Sequence, residues 1–200
     1  MAETDRISQL DLKGVSVDST SDLPSTWKEA PGKWGHSLHR LAPYVGGFPP
    51  ELAHYFIRWF SDVGDTVFDP FCGGGTTPLE AAVHNRYALG NDAFSYAYTL
   101  SHAKCNPMGT GEFKQYLDRK LSESADVDDA DMAPLDNDDL RVFYSEYTLD
   151  KLLRLRHVLV DDLSSEAFYL KAILCGILHG PSDMYLSLQT KDQYLTKLVG

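Results

Sequence analysis

Two carboxylates and a run of glycines are the residues of this chain best placed to do chemistry. Asp69 stands just ahead of Pro70-Phe71-Cys72 and Gly73-Gly74-Gly75, and Asp92 follows 23 residues after Asp69. A bare glycine turn lets backbone N–H groups approach a ligand with no Cβ in the way. A helix opening at Thr76 or Thr77 adds the partial positive charge of its N-terminus. Two ligand classes use such a turn: a phosphate-bearing nucleotide, and a nucleoside with a charged tail such as S-adenosylmethionine. The phosphate loop requires GxxxxGK[ST], and no lysine stands near Gly73–Thr77. The dinucleotide fingerprint requires a third glycine where this chain has Pro78. Asp69 then decides by sign, because a carboxylate repels a pyrophosphate and attracts an amino or sulfonium group. Asp92, at the end of a second strand, is placed to accept from ribose hydroxyls. The bland alternative is that Asp69 caps the loop and Asp92 caps the helix starting near Phe94. The order strand, loop, helix, strand, acid favours the ligand roles.

Other reactive types carry less. His36 and His39 are three apart, but nothing near them in the chain completes a ligand set. His102 with Cys105, and Cys175 with His179, have helical spacing and read as core or helix-surface residues, so no metal is expected. Cys72 reads as a small loop residue rather than a nucleophile. Ser187 has no triad context, and Tyr55, Phe56, Trp59 and Phe60 read as core rather than as a base-stacking platform.

The elements that must position Asp69, the glycines and Asp92 follow from periodicity. Pro49 and Pro50 precede a helix over about 50–60, with Glu51 in its first turn and Leu52, Phe56, Trp59 and Phe60 at helical spacing. Thr66 to Phe71 is a short strand with Val67 and Phe68 expected to be buried. Thr76 or Thr77 caps a helix that Asn85 ends, Arg86 to Asn91 forms a second strand, and Phe94 to Cys105 forms a further helix. This is the opening of a doubly wound α/β domain. Two more helical patterns follow, one marked by Leu149, Leu152, Leu153 and Leu155, the other running from Phe168 to Leu178. The predicted organisation is a loose N-terminal arm over 1–33, an α/β cofactor region over 34–124, an acidic loop over 125–140 and a helical segment over 141–200. The sheet is only started, so the sequence reads as the front part of a longer protein.

Composition sets the outer bounds. The 200 residues are 43% hydrophobic and 24% charged, ordinary for a soluble globular chain, and no apolar run reaches the length of a membrane span. The polar N-terminus has no signal-like apolar stretch. Three sparse cysteines point to reduced thiols and a cytoplasmic location. A formal net charge of −11, much of it in Ala125–Leu140, makes this part by itself a weak binder of nucleic acid.

On these residues the chain resembles the DNA methyltransferases that modify exocyclic amino groups, at N4 of cytosine or N6 of adenine. Asp69–Thr77, DPFCGGGTT, matches that family's cofactor motif DPF-x-G-x-GTT. Phe48-Pro49-Pro50-Glu51 resembles the segment preceding its first strand, and Ala88–Pro107 resembles its second strand, ribose-binding acid and following helix. The resemblance implies a Rossmann-like fold, here incomplete, with S-adenosyl-L-methionine as cofactor and DNA as partner of the complete protein. It implies that Asp69, Pro70, Phe71, Gly73, Gly74 and Gly75 line the cofactor and that Thr76 and Thr77 sit at the helix start. It further implies that Asp92 binds the ribose, that Phe94 borders the adenine or serves the core, and that Phe48, Pro49, Pro50 and Glu51 flank the methionine end. RNA guanine-N2 methyltransferases share a similar loop, and a non-catalytic nucleoside-binding domain is a further alternative. The family's catalytic motif places Asp, Asn or Ser before Pro-Pro and an aromatic after it. Pro49-Pro50, between Phe48 and Glu51, has neither flank. The sequence therefore reads as a cofactor-binding part without the catalytic residues, inactive alone.

Overall fold

A computed structural model describes residues 35–47, 49–132, 140 and 144–178. A 3-10 turn, Ser37–Arg40, precedes helix α1, Pro50–Phe60. Strand β1, Thr66–Asp69, leads through the glycine loop into α2, Thr76–Val83, and β2, Tyr87–Gly90, follows. The remainder is helical: α3, Ser95–Cys105; α4, Thr110–Ala125; α5, Asp129–Met132; α6, Glu146–Leu159; and α7, Ser165–Ile177.

The strands pair in parallel, Thr66 opposite Tyr87 and Asp69 opposite Gly90, which makes β1–α2–β2 a βαβ unit. Among the described residues the sheet has these two strands. This mixed architecture with a small parallel sheet is consistent with part of a methyltransferase domain. One face of the sheet is covered: Ala53 and Ile57 of α1 and Ala81 of α2 are buried against Val67 and Ala88. On the other face Phe68, Tyr87 and Leu89 are 61%, 71% and 56% exposed. Phe68 was expected to be buried, but strand side chains alternate between faces, and only the Val67 face meets helices.

The aromatic series of α1 also departs from expectation. The helix buries small Ala53 and branched Ile57, while Tyr55, Phe56, Trp59 and Phe60 stay partly exposed and pair with one another. Residues of moderate size let α1 approach the sheet and α2 closely, and the rings are displaced outward.

The helical part packs tightly. Tyr96, Leu100 and Ala103 of α3 meet Ala172 and Cys175 of α7 and Ala42 of the upstream segment. Tyr116, Leu155, Leu159, Ala167 and Leu170 join α4, α6 and α7. Sequence periodicity left α4 unassigned because its apolar positions are sparse. Phe113, Tyr116, Leu117 and Lys120 nevertheless lie at helical spacing, and the Glu112 carboxylate accepts the Gly109 N–H at 3.4 Å. The stretch expected as an acidic loop contains α5, where Met132 is buried with Leu140, Leu149 and Leu153.

Candidate cofactor site

The loop between β1 and α2 is built by backbone bonds. The Asn91 N–H donates to the Asp69 carbonyl at 3.0 Å, and the Cys72 N–H donates to the Asn91 carbonyl at 3.0 Å, continuing the ladder past the strands. The Gly75 N–H closes the turn on the Cys72 carbonyl at 2.8 Å. Gly73 and Gly75 have φ of +50° and +79°, the left-handed region that favours glycine.

All three glycines are also crowded by the protein itself. A Cβ on Gly73 or Gly74 would lie 3.0 or 2.9 Å from the Tyr44 ring. One on Gly75 would lie 2.7 Å from the Ser101 backbone of α3. Tyr44 is thus the nearest side chain that the upstream segment presents to the loop, a role the sequence did not reveal. Lys104, buried on α3, donates to the Gly74 carbonyl at 2.5 Å, and burial pulls its pKa down to about 8. The sequence expected Thr76 or Thr77 as the helix cap. Instead Gly75 occupies the cap position, and both threonines lie within α2, Thr76 buried. Asn85, just past the helix, takes φ of +58°, the helix stop that was expected.

The two acids flank this loop at the carboxyl ends of the paired strands. Asp69 Oδ1 accepts the Phe71 N–H at 3.0 Å. Asp92 Oδ2 accepts the Gly73 N–H at 2.9 Å, while its Oδ1 accepts the Phe94 N–H at 3.0 Å. Asp69 thus bonds within its own loop as the bland alternative had it, whereas Asp92 holds the N–H of Phe94, the N-cap residue of α3, and makes no cap bond to the helix itself. Asp92 spans loop and α3 at once, and two bonds leave part of a carboxylate's acceptor capacity unused. Phe94 is the N-cap residue of α3, and its half-buried ring meets Tyr96 edge-on at 6.2 Å, which supports the core side of its two expected roles. Pro70 and Phe71 are exposed, Phe71 by 84%. Pro49 is exposed, Pro50 and Glu51 are half-buried in the first turn of α1, and Phe48 lies outside the described residues. Cys72 is buried, and desolvation raises its pKa, so it carries little thiolate and fits a packing role.

A second polar cluster lies further along α2. Glu80 is 2% exposed and has three imidazoles around it. His39 Nε2 is 2.7 Å from Oε1, while His54 Nδ1 and His84 Nε2 are each 3.4 Å from Oε2 and 2.6 Å from one another. Burial alone would raise the Glu80 carboxyl, but the His39 hydrogen bond and the charge of the imidazoles hold it below its usual range. Burial, then the neighbouring His54, lowers the pKa of His84. Sequence reasoning found His39 and no partner for it, because its partner comes 41 residues later on a different helix. The spacing of Glu80 and His84, four apart on one helix face, was the only local signal. His36 is elsewhere: its Nδ1 accepts the Leu38 N–H at 3.2 Å. His179 lies outside the described residues, as does Ser187. Among the described residues no helix is long and apolar enough to cross a membrane.

Comparison with known proteins finds methyltransferases. The type II methyltransferase M.MjaII of Methanocaldococcus jannaschii is 30% identical over 80 residues, 40% of this chain and 15% of that protein. The orphan methyltransferase M.BamHII of Bacillus amyloliquefaciens is 39% identical over 67 residues, 33% of this chain and 25% of its own. The type II methyltransferase M.MthZI of Methanothermobacter thermautotrophicus is 30% identical over 99 residues, 49% of this chain and 23% of its own. The chain thus spans a quarter or less of the length of these relatives. No solved structure matches it. Residues 4–102, which include the glycine loop and both acids, match the family described as DNA methylase, of the N6/N4 type.

Proposed function

We propose that this chain is the cofactor-holding part of an S-adenosylmethionine-dependent DNA methyltransferase acting on an exocyclic amino group, N4 of cytosine or N6 of adenine. The observation that carries the reading is the placement of Asp69 and Asp92 at the carboxyl ends of two parallel strands, with the glycine loop between them. Ligands of open α/β sheets bind at that end.

The donor set fits the cofactor's chemistry. A carboxylate bound to two N–H groups retains acceptor capacity for ribose hydroxyls, and Asp69 supplies negative charge toward an ammonium or sulfonium. Lys104, the lysine that touches the loop, is buried and turned to the Gly74 carbonyl, so it offers no counter-charge to a polyphosphate. When bound, the cofactor supplies the electrophilic methyl group. The chain's own part is to hold and orient it, a contribution of position and electrostatics rather than covalent catalysis. In the complete protein, DNA would be the partner, and the residues that hold the target base would come from outside the region described here.

The test is calorimetric titration of the chain with S-adenosylmethionine, ATP and NAD. Preferential binding of S-adenosylmethionine is expected, with Asp92→Ala weakening it at least tenfold, about 1.4 kcal/mol. Equal affinity in the Asp92→Ala chain, or preference for ATP or NAD, would reject the assignment. Transfer of labelled methyl groups to DNA by the complete protein tests the remainder.

A further inference from the structure

Outside the glycine loop, the cluster on Glu80 is the densest group of ligating atoms among the described residues. His54 Nδ1, Glu80 Oε2 and His84 Nε2 all lie within 4.8 Å of one another. Their separations of 2.6, 3.4 and 3.4 Å define a triangle whose corners are about 1.8 Å from its centre. A cation displaced about 0.9 Å from that plane stands about 2.0–2.1 Å from all three atoms, the zinc distance to imidazole nitrogen and carboxylate oxygen. Tetrahedral angles at such a cation require the two imidazole nitrogens, 2.6 Å apart, to spread to about 3.3 Å. We propose that these three side chains bind one zinc-class divalent cation, with water in the fourth position.

Three further observations support a site rather than a plain hydrogen-bonded network. Two imidazole nitrogens converge on the same oxygen of a buried carboxylate. The other oxygen is held by His39, whose Nε2 lies 2.7 Å away and whose side chain is 5% exposed, an outer partner of the kind that orients ligating carboxylates. Finally, the site has an entry path. His54 and His84 are 22% and 23% exposed, and His54 lines an open cavity of ≈ 380 Å³ with Tyr55, Arg58 and Trp59. A two-histidine, one-glutamate set with an open position suits zinc in preference to calcium or magnesium, which take oxygen ligands. Arg86 lies near His84, but its guanidinium is engaged by the His84 and Ser61 carbonyls. The cation would clasp α1 to α2, fixing the helix that begins at Pro50 against the one that begins at the glycine loop.

The experiment is cobalt(II) titration of the chelator-treated chain, read by visible absorption, followed by displacement with zinc. One equivalent of cobalt at micromolar affinity, with the intense bands of four-coordinate cobalt, is expected. His84→Ala and His54→Ala should each weaken binding at least tenfold, His39→Ala by about tenfold to a hundredfold, and His36→Ala should leave it unchanged. Circular dichroism confirms that each variant is folded, and His84, partly exposed at a helix end, should tolerate alanine. Absence of one-to-one binding in the micromolar range, or equal affinity in the wild-type and His84→Ala chains, overturns the proposal.

Discussion

The sheet-bearing half and the helical half each draw a carboxylate out of water, and they satisfy it differently. Glu80 on α2 is surrounded by imidazoles, groups that can donate, accept or ligate. Asp162, between α6 and α7, accepts the Ser164 N–H at 3.0 Å, the Ser164 hydroxyl at 2.6 Å and the Tyr116 hydroxyl at 2.8 Å, and pairs with Lys120 at 3.1 Å. Burial would raise the Asp162 carboxyl, yet these donors hold it well below the usual carboxylate range; burial and then the bond to Asp162 push Tyr116 upward, and the bonds to Glu123 and Asp162 raise Lys120 against its burial. Fixed donors make a joint that serves one arrangement. Imidazoles make a joint that can change its protons or take a cation. The helical half is closed around its ion pair, whereas the sheet-bearing half keeps its polar groups adaptable and one sheet face bare.

The sharpest way to break this comparison is to replace each carboxylate by its amide. An Asn at 162 would place an NH₂ among the Ser164 N–H, the Lys120 ammonium and two hydroxyls. At least one donor there would face another donor. Asp162→Asn should cost about 2–3 kcal/mol in urea unfolding, the range for losing a hydrogen bond to a charged group. A cost under about 0.5 kcal/mol would show that the joint is not held by its charge.

Glu80→Gln should cost less, about 1 kcal/mol in chelator-containing buffer, because neutral imidazoles can accept from the new amide. The order of the two costs matters more than either value. If Glu80→Gln proved the more damaging in the absence of metal, the imidazoles would be acting as fixed cations, and the two joints would be alike.

Some of this was legible in the sequence and some was not. The β1–loop–α2–β2 order, the stop at Asn85 and the span of α1 follow from local signals, namely Pro50, the glycines and short apolar runs. The local loop bond at Asp69 was likewise readable as an alternative. The Glu80 cluster was not, since His39, His54 and His84 come from three separate stretches, and only the packing of the Ser37–Arg40 turn and of α1 around α2 unites them. Tyr44 against the glycines belongs to the same class. Phe68 was misplaced because a strand's apolar residue reads the same whether its face is covered or open. Helix α4 was missed because its apolar stripe is thin and it is held by a few large residues, notably Tyr116.

The junction between the halves gives a smaller effect with a definite sign. His102 of α3 packs on Phe168 of α7 at 4.5 Å between ring centroids, and burial lowers its pKa from the ordinary 6.5. A group depressed in the folded state contributes stability that is present above its unfolded value and lost as pH falls through its folded value. Stability measured by urea unfolding should therefore decline as pH drops below 6.5, by less than either amide swap costs. His102→Phe, which retains an aromatic ring against Phe168, should flatten that decline. The Asp162 contribution should persist to lower pH, because its folded value lies beneath the unfolded 3.8. An unchanged slope in His102→Phe would remove the junction from the pH response.

The smallest expected effect is the most direct check on the bare sheet face. Parallel strands are ordinarily covered on both faces, and here Phe68 and Leu89 pair across β1 and β2 with more than half of each exposed. An exposed aromatic gains little from folding, so Phe68→Ser should change unfolding free energy by no more than about 0.5 kcal/mol. Val67→Ala, one residue away on the face packed against α1 and α2, should cost about 1–2 kcal/mol, scaled from larger core truncations because Val67 is only partly buried. The two positions are adjacent in β1 and lie on opposite sides of the strand. If Phe68→Ser cost more than Val67→Ala, something would have to cover that face in solution, and the contrast between an open sheet and a closed helical half would fail.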